Sequence, residues 1–154
     1  MERDMLAAVD IIRQLDEAAA QPADPGEIDA LFDALVETYR QLDGEEERGR
    51  VRIAYCRSKN WTGGEYWHHF PSYTQRFRNG GEPDDLRRMI AHYSLTDGWP
   101  DMRDAILGLV TLQDAAKLRD VDAGPVFAEF APLSSPDDRS GIGSMRGYME
   151  KSAR

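Results

Sequence analysis

The stretch Asp24-Pro25-Gly26-Glu27-Ile28-Asp29-Ala30-Leu31-Phe32-Asp33-Ala34-Leu35-Val36-Glu37-Thr38-Tyr39-Arg40-Gln41-Leu42-Asp43-Gly44 decides the fold class. Its apolar residues Ile28, Leu31, Phe32, Leu35, Val36, Tyr39 and Leu42 recur at the spacing that lays one stripe along an α-helix. Asp24 stands at the N-cap and Pro25 at the first helical position, where a missing N–H leaves nothing unsatisfied. Glu27 completes a capping box. Gly44 supplies the stop.

Upstream, Met5, Leu6, Val9, Ile12 and Leu15 form a first stripe of the same period. Downstream, Val51, Ile53 and Tyr55 alternate with Arg50, Arg52 and Ala54, the pattern of a short strand. A lone strand would have no partner in a chain that otherwise reads as helical, so Glu45 to Asn60 is expected to be a helix. Thr62-Gly63-Gly64 opens a segment from Glu65 to Phe77, interrupted by Pro71 and closed by Asn79-Gly80-Gly81. Pro83-Asp84-Asp85 starts a helix buried through Leu86, Met89, Ile90 and Tyr93. Asp97-Gly98-Trp99-Pro100 starts another, carrying Met102, Ile106, Leu109, Val110 and Leu112. A final turn or two follows Gly124-Pro125, with Val126, Phe127 and Phe130. The expected architecture is a compact all-α domain of six or so helices over residues 1–131. Residues 132–154 follow as a linker and an extended C-terminal peptide.

Composition narrows the function. With 41% hydrophobic and 31% charged residues, the chain has the make-up of a soluble globular protein. No run approaches a membrane span, and Met1-Glu-Arg-Asp lacks the basic start of a signal peptide, so no membrane role is expected. One cysteine, Cys56, allows no intrachain disulfide, which points to a reducing cytoplasm. In an apolar stretch it reads as a small buried hydrophobe. A net charge of −9 with no basic stripe argues against nucleic acid.

Chemistry concentrates in Trp61-Thr62-Gly63-Gly64-Glu65-Tyr66-Trp67-His68-His69-Phe70-Pro71. On a helix, Glu65 and His69 share a face, and a carboxylate beside an imidazole makes an acid/base pair. The plain reading is that Trp67 and Phe70 are core or interface residues and the Glu–His spacing carries no role. Glu65-x-x-His68 has the spacing of a di-iron helix, but no second Glu-x-x-His exists and the glycines and Pro71 break the long helix required, so no metal is expected. Arg87 and His92 match a spacing found in some helical ribonucleases, with nothing basic around them.

The order of features from Arg50 to Phe130 resembles the carboxymuconolactone decarboxylase/alkylhydroperoxidase-D family of all-α proteins. Members without redox cysteines often carry Glu-Trp-Tyr-Gln-His-Val-Pro at the head of the active-site helix, where this chain has Glu65-Tyr66-Trp67-His68-His69-Phe70-Pro71. The resemblance implies an alkylhydroperoxidase-D-like fold, a trimer or hexamer, and acid/base or antioxidant-type chemistry against oxidative stress. His69 and Glu65 would be the proton-transfer pair, Tyr66 and Trp67 would shape the pocket, and His68 would bind an acidic group of a small-molecule substrate, with no cofactor. The family's dithiol positions fall on Thr62 and Glu65, so a thiol peroxidase mechanism is not implied.

Behind the break Pro132-Leu133-Ser134-Ser135-Pro136 lies Asp137-Asp138-Arg139-Ser140-Gly141-Ile142-Gly143-Ser144-Met145-Arg146-Gly147-Tyr148. Three glycines in seven residues argue against a self-supporting element, and Ile142 and Met145 are free to enter pockets on a partner. The plain alternative is a frayed terminus. The run Gly141-Ile142-Gly143-Ser144-Met145-Arg146-Gly147 resembles the cargo-loading peptide of encapsulin-associated proteins, which typically reads Gly-Ile-Gly-Ser-Leu-Lys-Gly. Met145 stands for the Leu and Arg146 for the Lys. Arg139-Ser140 departs from the usual Ser-Leu, and Tyr148 to Arg154 extend past the usual end. The resemblance implies an encapsulin shell protein as partner and residence inside an encapsulin nanocompartment in the cytoplasm. The competing class is an acidic helical binding or immunity-type protein that blocks a basic partner.

Overall fold

A computed structural model describes residues 2–19, 25–61, 76–80, 83–96, 102–136 and 145–154. Every regular element among them is helical. In chain order they are α1 (Glu2–Ala19), α2 (Pro25–Arg40), α3 (Glu45–Trp61), α4 (Pro83–Thr96), α5 (Met102–Leu118), α6 (Gly124–Phe130), a 3-10 turn (Ala131–Leu133) and α7 (Met145–Ser152). The chain divides into two units, Met1–Pro71 and Ser72–Arg154.

In the first unit α1 packs on α2 and α3. Helix α2 buries Ile28, Phe32, Leu35, Val36 and Tyr39, as its stripe predicts. It ends at Arg40, and Gly44 instead precedes α3, its carbonyl accepting from Arg48 N at 3.1 Å. Helix α1 buries Met5, Ala8, Ile12 and Leu15, which leaves Leu6 and Val9 exposed. Helix α3 resolves the strand-like alternation. Val51 and Tyr55, one turn apart, are buried, whereas Ile53 on the opposite side is 53% exposed. The Tyr55 ring lies 6.5 Å from that of Phe32. Buried Arg52 donates to Tyr39 Oη at 2.9 Å and pairs with Glu45, so its charge is compensated where water is scarce.

In the second unit α4 packs on α5, α6 and α7. It buries Leu86, Met89, Ile90 and Leu95, and also the polar residues Asp85, His92, Ser94 and Thr96. Asp85, in the first turn of α4, accepts from Arg88 at 2.8 Å and pairs with Arg76 at 3.1 Å. Residues 76–78 are helical and end in a turn at Gly80, whose φ of 92° favours glycine. Arg119 ties that turn to the end of α5, donating to Phe77 O at 2.8 Å with its guanidinium 4.6 Å from the Phe77 ring centre. Helix α5 buries Leu109, Leu112, Ala115 and Ala116, so its inner face is rotated from the expected stripe and Val110 is exposed. A Cβ on Gly108 would fall 2.8 Å from Tyr93 Cζ, which makes that glycine the space into which the Tyr93 ring packs.

The tail departs most from expectation. Residues 145–152, read as part of an extended peptide, form the helix α7 and lie against α4, α5, α6 and the 3-10 turn. The segment 137–144 lies outside the described residues.

Candidate functional site

The five residues expected to carry acid/base chemistry, Glu65, Tyr66, Trp67, His68 and His69, lie outside the described residues. So do Gly141, Ile142, Gly143 and Ser144 of the expected shell-binding run. Of that run, Met145 opens α7 and Arg146 follows in its first turn, where its Nε lies 3.2 Å from Glu150 Oε1. Cys56 is half-buried on α3. His92 is buried beside the ring of Tyr93, 5.3 Å between centroids. Arg87 pairs with Glu129 at 2.6 Å and lies over the Phe130 ring, so it ties α4 to α6. Among the described residues, no three His, Cys, Asp or Glu side chains gather as a metal site would need.

What the second unit does build is a seat for the tail. An eight-residue helix with a glycine in its first turn does not hold itself together in water. Its order therefore depends on what it touches. Met149 is fully buried, and Ser134 Oγ lies 3.4 Å from its Sδ. The same hydroxyl is 3.0 Å from Ser94 Oγ and 3.2 Å from Phe130 O, so a small polar cluster with its partners satisfied closes the floor of the seat. Tyr148, on the adjoining position, sets its ring edge-on to Phe127 at 6.0 Å and donates to Gln113 Oε1 at 2.7 Å. At the far end, a Cβ on Gly124 would stand 3.5 Å from Ala153 O and 3.7 Å from Ser152 O, so the start of α6 and the end of α7 meet closely.

Sequence reading missed this seat, although a signal for it was present. Met145, Tyr148, Met149 and Ser152 follow helical spacing, and the glycine count of the preceding run hid it. Burial raises the Tyr148 phenol above its ordinary value of 10.0; a hydrogen bond from Ser152 opposes this and the charge of Asp114 adds to it. A phenol whose folded pKa is raised stabilises the docked state fully below pH 10.0 and loses that contribution as the pH climbs through the raised value. The seat is therefore expected to weaken in alkali. Hydrogen exchange of the α7 amides measured on either side of that range should rise more steeply in the native chain than in Tyr148→Phe. Equal slopes would show that Tyr148 ionisation does not act there. Tyr93, raised by burial as well, contributes to the alkaline loss in both proteins.

No family model, curated protein or solved structure matches the chain.

Proposed function

We propose that the chain is a cargo protein of an encapsulin nanocompartment, loaded through the run Gly141-Ile142-Gly143-Ser144-Met145-Arg146-Gly147. The observation that carries this reading is the run itself. It places two apolar side chains three residues apart among glycines that let a backbone approach a surface closely, with one cation beside the second anchor. Two such anchors on one peptide give modest affinity, and display of several copies by an oligomer, a trimer or hexamer, raises it by avidity. Co-expression with the encapsulin shell protein of the same genome tests the reading, with co-purification at the size of assembled shells as the expected result. An acidic antagonist of a basic partner would instead be lost from that partner when acidic surface residues are neutralised, regardless of the tail.

For the domain we propose acid/base chemistry of carboxymuconolactone decarboxylase-like type on a small molecule, supported by the segment Glu65-Tyr66-Trp67-His68-His69-Phe70-Pro71. His69 exchanges the proton, Glu65 orients it, Tyr66 and Trp67 shape the pocket, and His68 receives an acidic substrate group. Proton transfer by a positioned side chain is worth about 10²–10⁴-fold. His69→Ala should cut turnover by that factor with helical content unchanged, and Cys56→Ser should not. Turnover that follows Cys56 alone would contradict the assignment.

A further inference from the structure

In the second unit, every large apolar side chain that stays exposed among the described residues belongs to one helix. Leu107, Val110 and Leu118 are 56%, 38% and 87% exposed, and all three lie on α5. With Thr111 and Asp114, which are exposed as well, they fall at i, i+3, i+4, i+7 and i+11, one continuous face of that helix. Leu109, Leu112, Ala115 and Ala116 already supply its inner side, so the core of the unit does not call on the outer stripe. Isolated exposed leucines are ordinary on a protein surface, whereas apolar side chains gathered along one face mark a contact surface.

Two charges decide what the stripe fits. Asp114 and Lys117 stand three residues apart along its edge, both exposed and neither in an ion pair among the described residues. We propose that the outer face of α5 pairs with the same face of a second copy of the chain, the two helices running antiparallel about a two-fold axis. In a two-fold pairing each contact occurs twice, so the surface must complement itself. With the axis between residues 115 and 116, Asp114 of each copy faces Lys117 of the other. The same register sets Leu118 of each copy beside Val110 and Thr111 of the other, which covers the most exposed side chain of the stripe. A parallel pairing would instead set Asp114 against Asp114 and Lys117 against Lys117. An edge with one charge of each sign offers no net attraction to a strongly basic or acidic partner, whereas a second copy matches it twice. The contact is small, so the association is modest and depends on concentration. The inference does not rest on the loading reading.

Sedimentation velocity of the full chain across a concentration series tests the pairing, with a reversible monomer–dimer equilibrium as the expected result. Leu118→Asp should leave only monomer. Leu118 is 87% exposed, so the change costs the fold little while it sets two carboxylates in the contact. Asp114→Lys and Lys117→Asp, made singly, should each weaken the dimer by about twofold to thirtyfold, because each breaks two exposed ion pairs. The chain carrying both changes rebuilds the pairs in reverse and should return to the native affinity. A larger assembly that Leu118→Asp splits in half supports the proposal too, since two-fold contacts join its halves. A native chain that stays monomeric at every concentration overturns the proposal. An oligomer that survives Leu118→Asp overturns it as well, because its contact lies elsewhere. Single charge variants that leave the dimer unchanged, or that the double variant fails to rescue, overturn the antiparallel register.

Discussion

Met149→Ala is expected to lower the unfolding free energy of the second unit by about 2–5 kcal/mol, the range for removing a buried long apolar side chain from a packed site. Met149 is fully buried although only five residues of the sequence follow it, in a helix too short to persist alone. Removing it takes away the dispersion contacts that replace hydration around its thioether, and leaves a void bounded in part by the Ser134 hydroxyl. A domain of this size holds only about 5–15 kcal/mol of stability in total, so the loss is a large fraction. Denaturant unfolding followed by far-ultraviolet circular dichroism measures it, with hydrogen exchange of α6 and α7 showing where the loss falls. A change below about 1 kcal/mol would mean that the tail contributes little to the unit it lies on.

That expectation marks the limit of what the sequence disclosed. The helical class was legible because the α2 stripe and its capping residues are local signals, and burial of Ile28, Phe32, Leu35, Val36 and Tyr39 follows from spacing alone. Helix α3 was harder, since alternating Val51, Ile53 and Tyr55 fits two periods. Burial of Val51 and Tyr55 with exposure of Ile53 selects the helical one, and that choice depends on neighbours no local pattern names. The inner faces of α1 and α5 lie a fraction of a turn from the stripes that spacing predicts. Large residues such as Leu6 and Val110 fit the helical period, but the chain turns small alanines inward, Ala8 in one helix and Ala115 and Ala116 in the other. Close approach of helices favours small side chains, so hydrophobicity alone does not locate the contact face. The tail departs from the expected extended peptide for a different reason. Its glycines forbid a helix that stands alone, and only the tertiary seat made by Phe127, Ser134 and Gln113 supplies what the local sequence lacks. Of the candidate site, sequence supplied residue types and spacing for Glu65, His69 and Ile142. The polar cluster of Ser94 and Ser134 joins residues forty apart, beyond any motif.

Ile142→Asp is expected to abolish packaging. An isoleucine that fills an apolar pocket contributes about 1.5–3 kcal/mol, and a carboxylate forced into the same pocket adds a desolvation cost. Together they lower the affinity of a single tail by more than about a hundredfold, and avidity multiplies the loss when several tails act at once. The substitution lies outside α7 and leaves Tyr148 and Met149 unaltered, so it separates recognition from folding, which truncation after Pro136 would not. The most direct measurement is co-expression of the full chain, native or Ile142→Asp, with the encapsulin shell protein of the same genome. Assembled shells are then isolated by size and their protein content assayed. The account predicts shells that contain the native chain and shells empty of the Ile142→Asp chain, with both chains equally helical and equally expressed. Shells that contain the two in equal amounts, or neither, would contradict it.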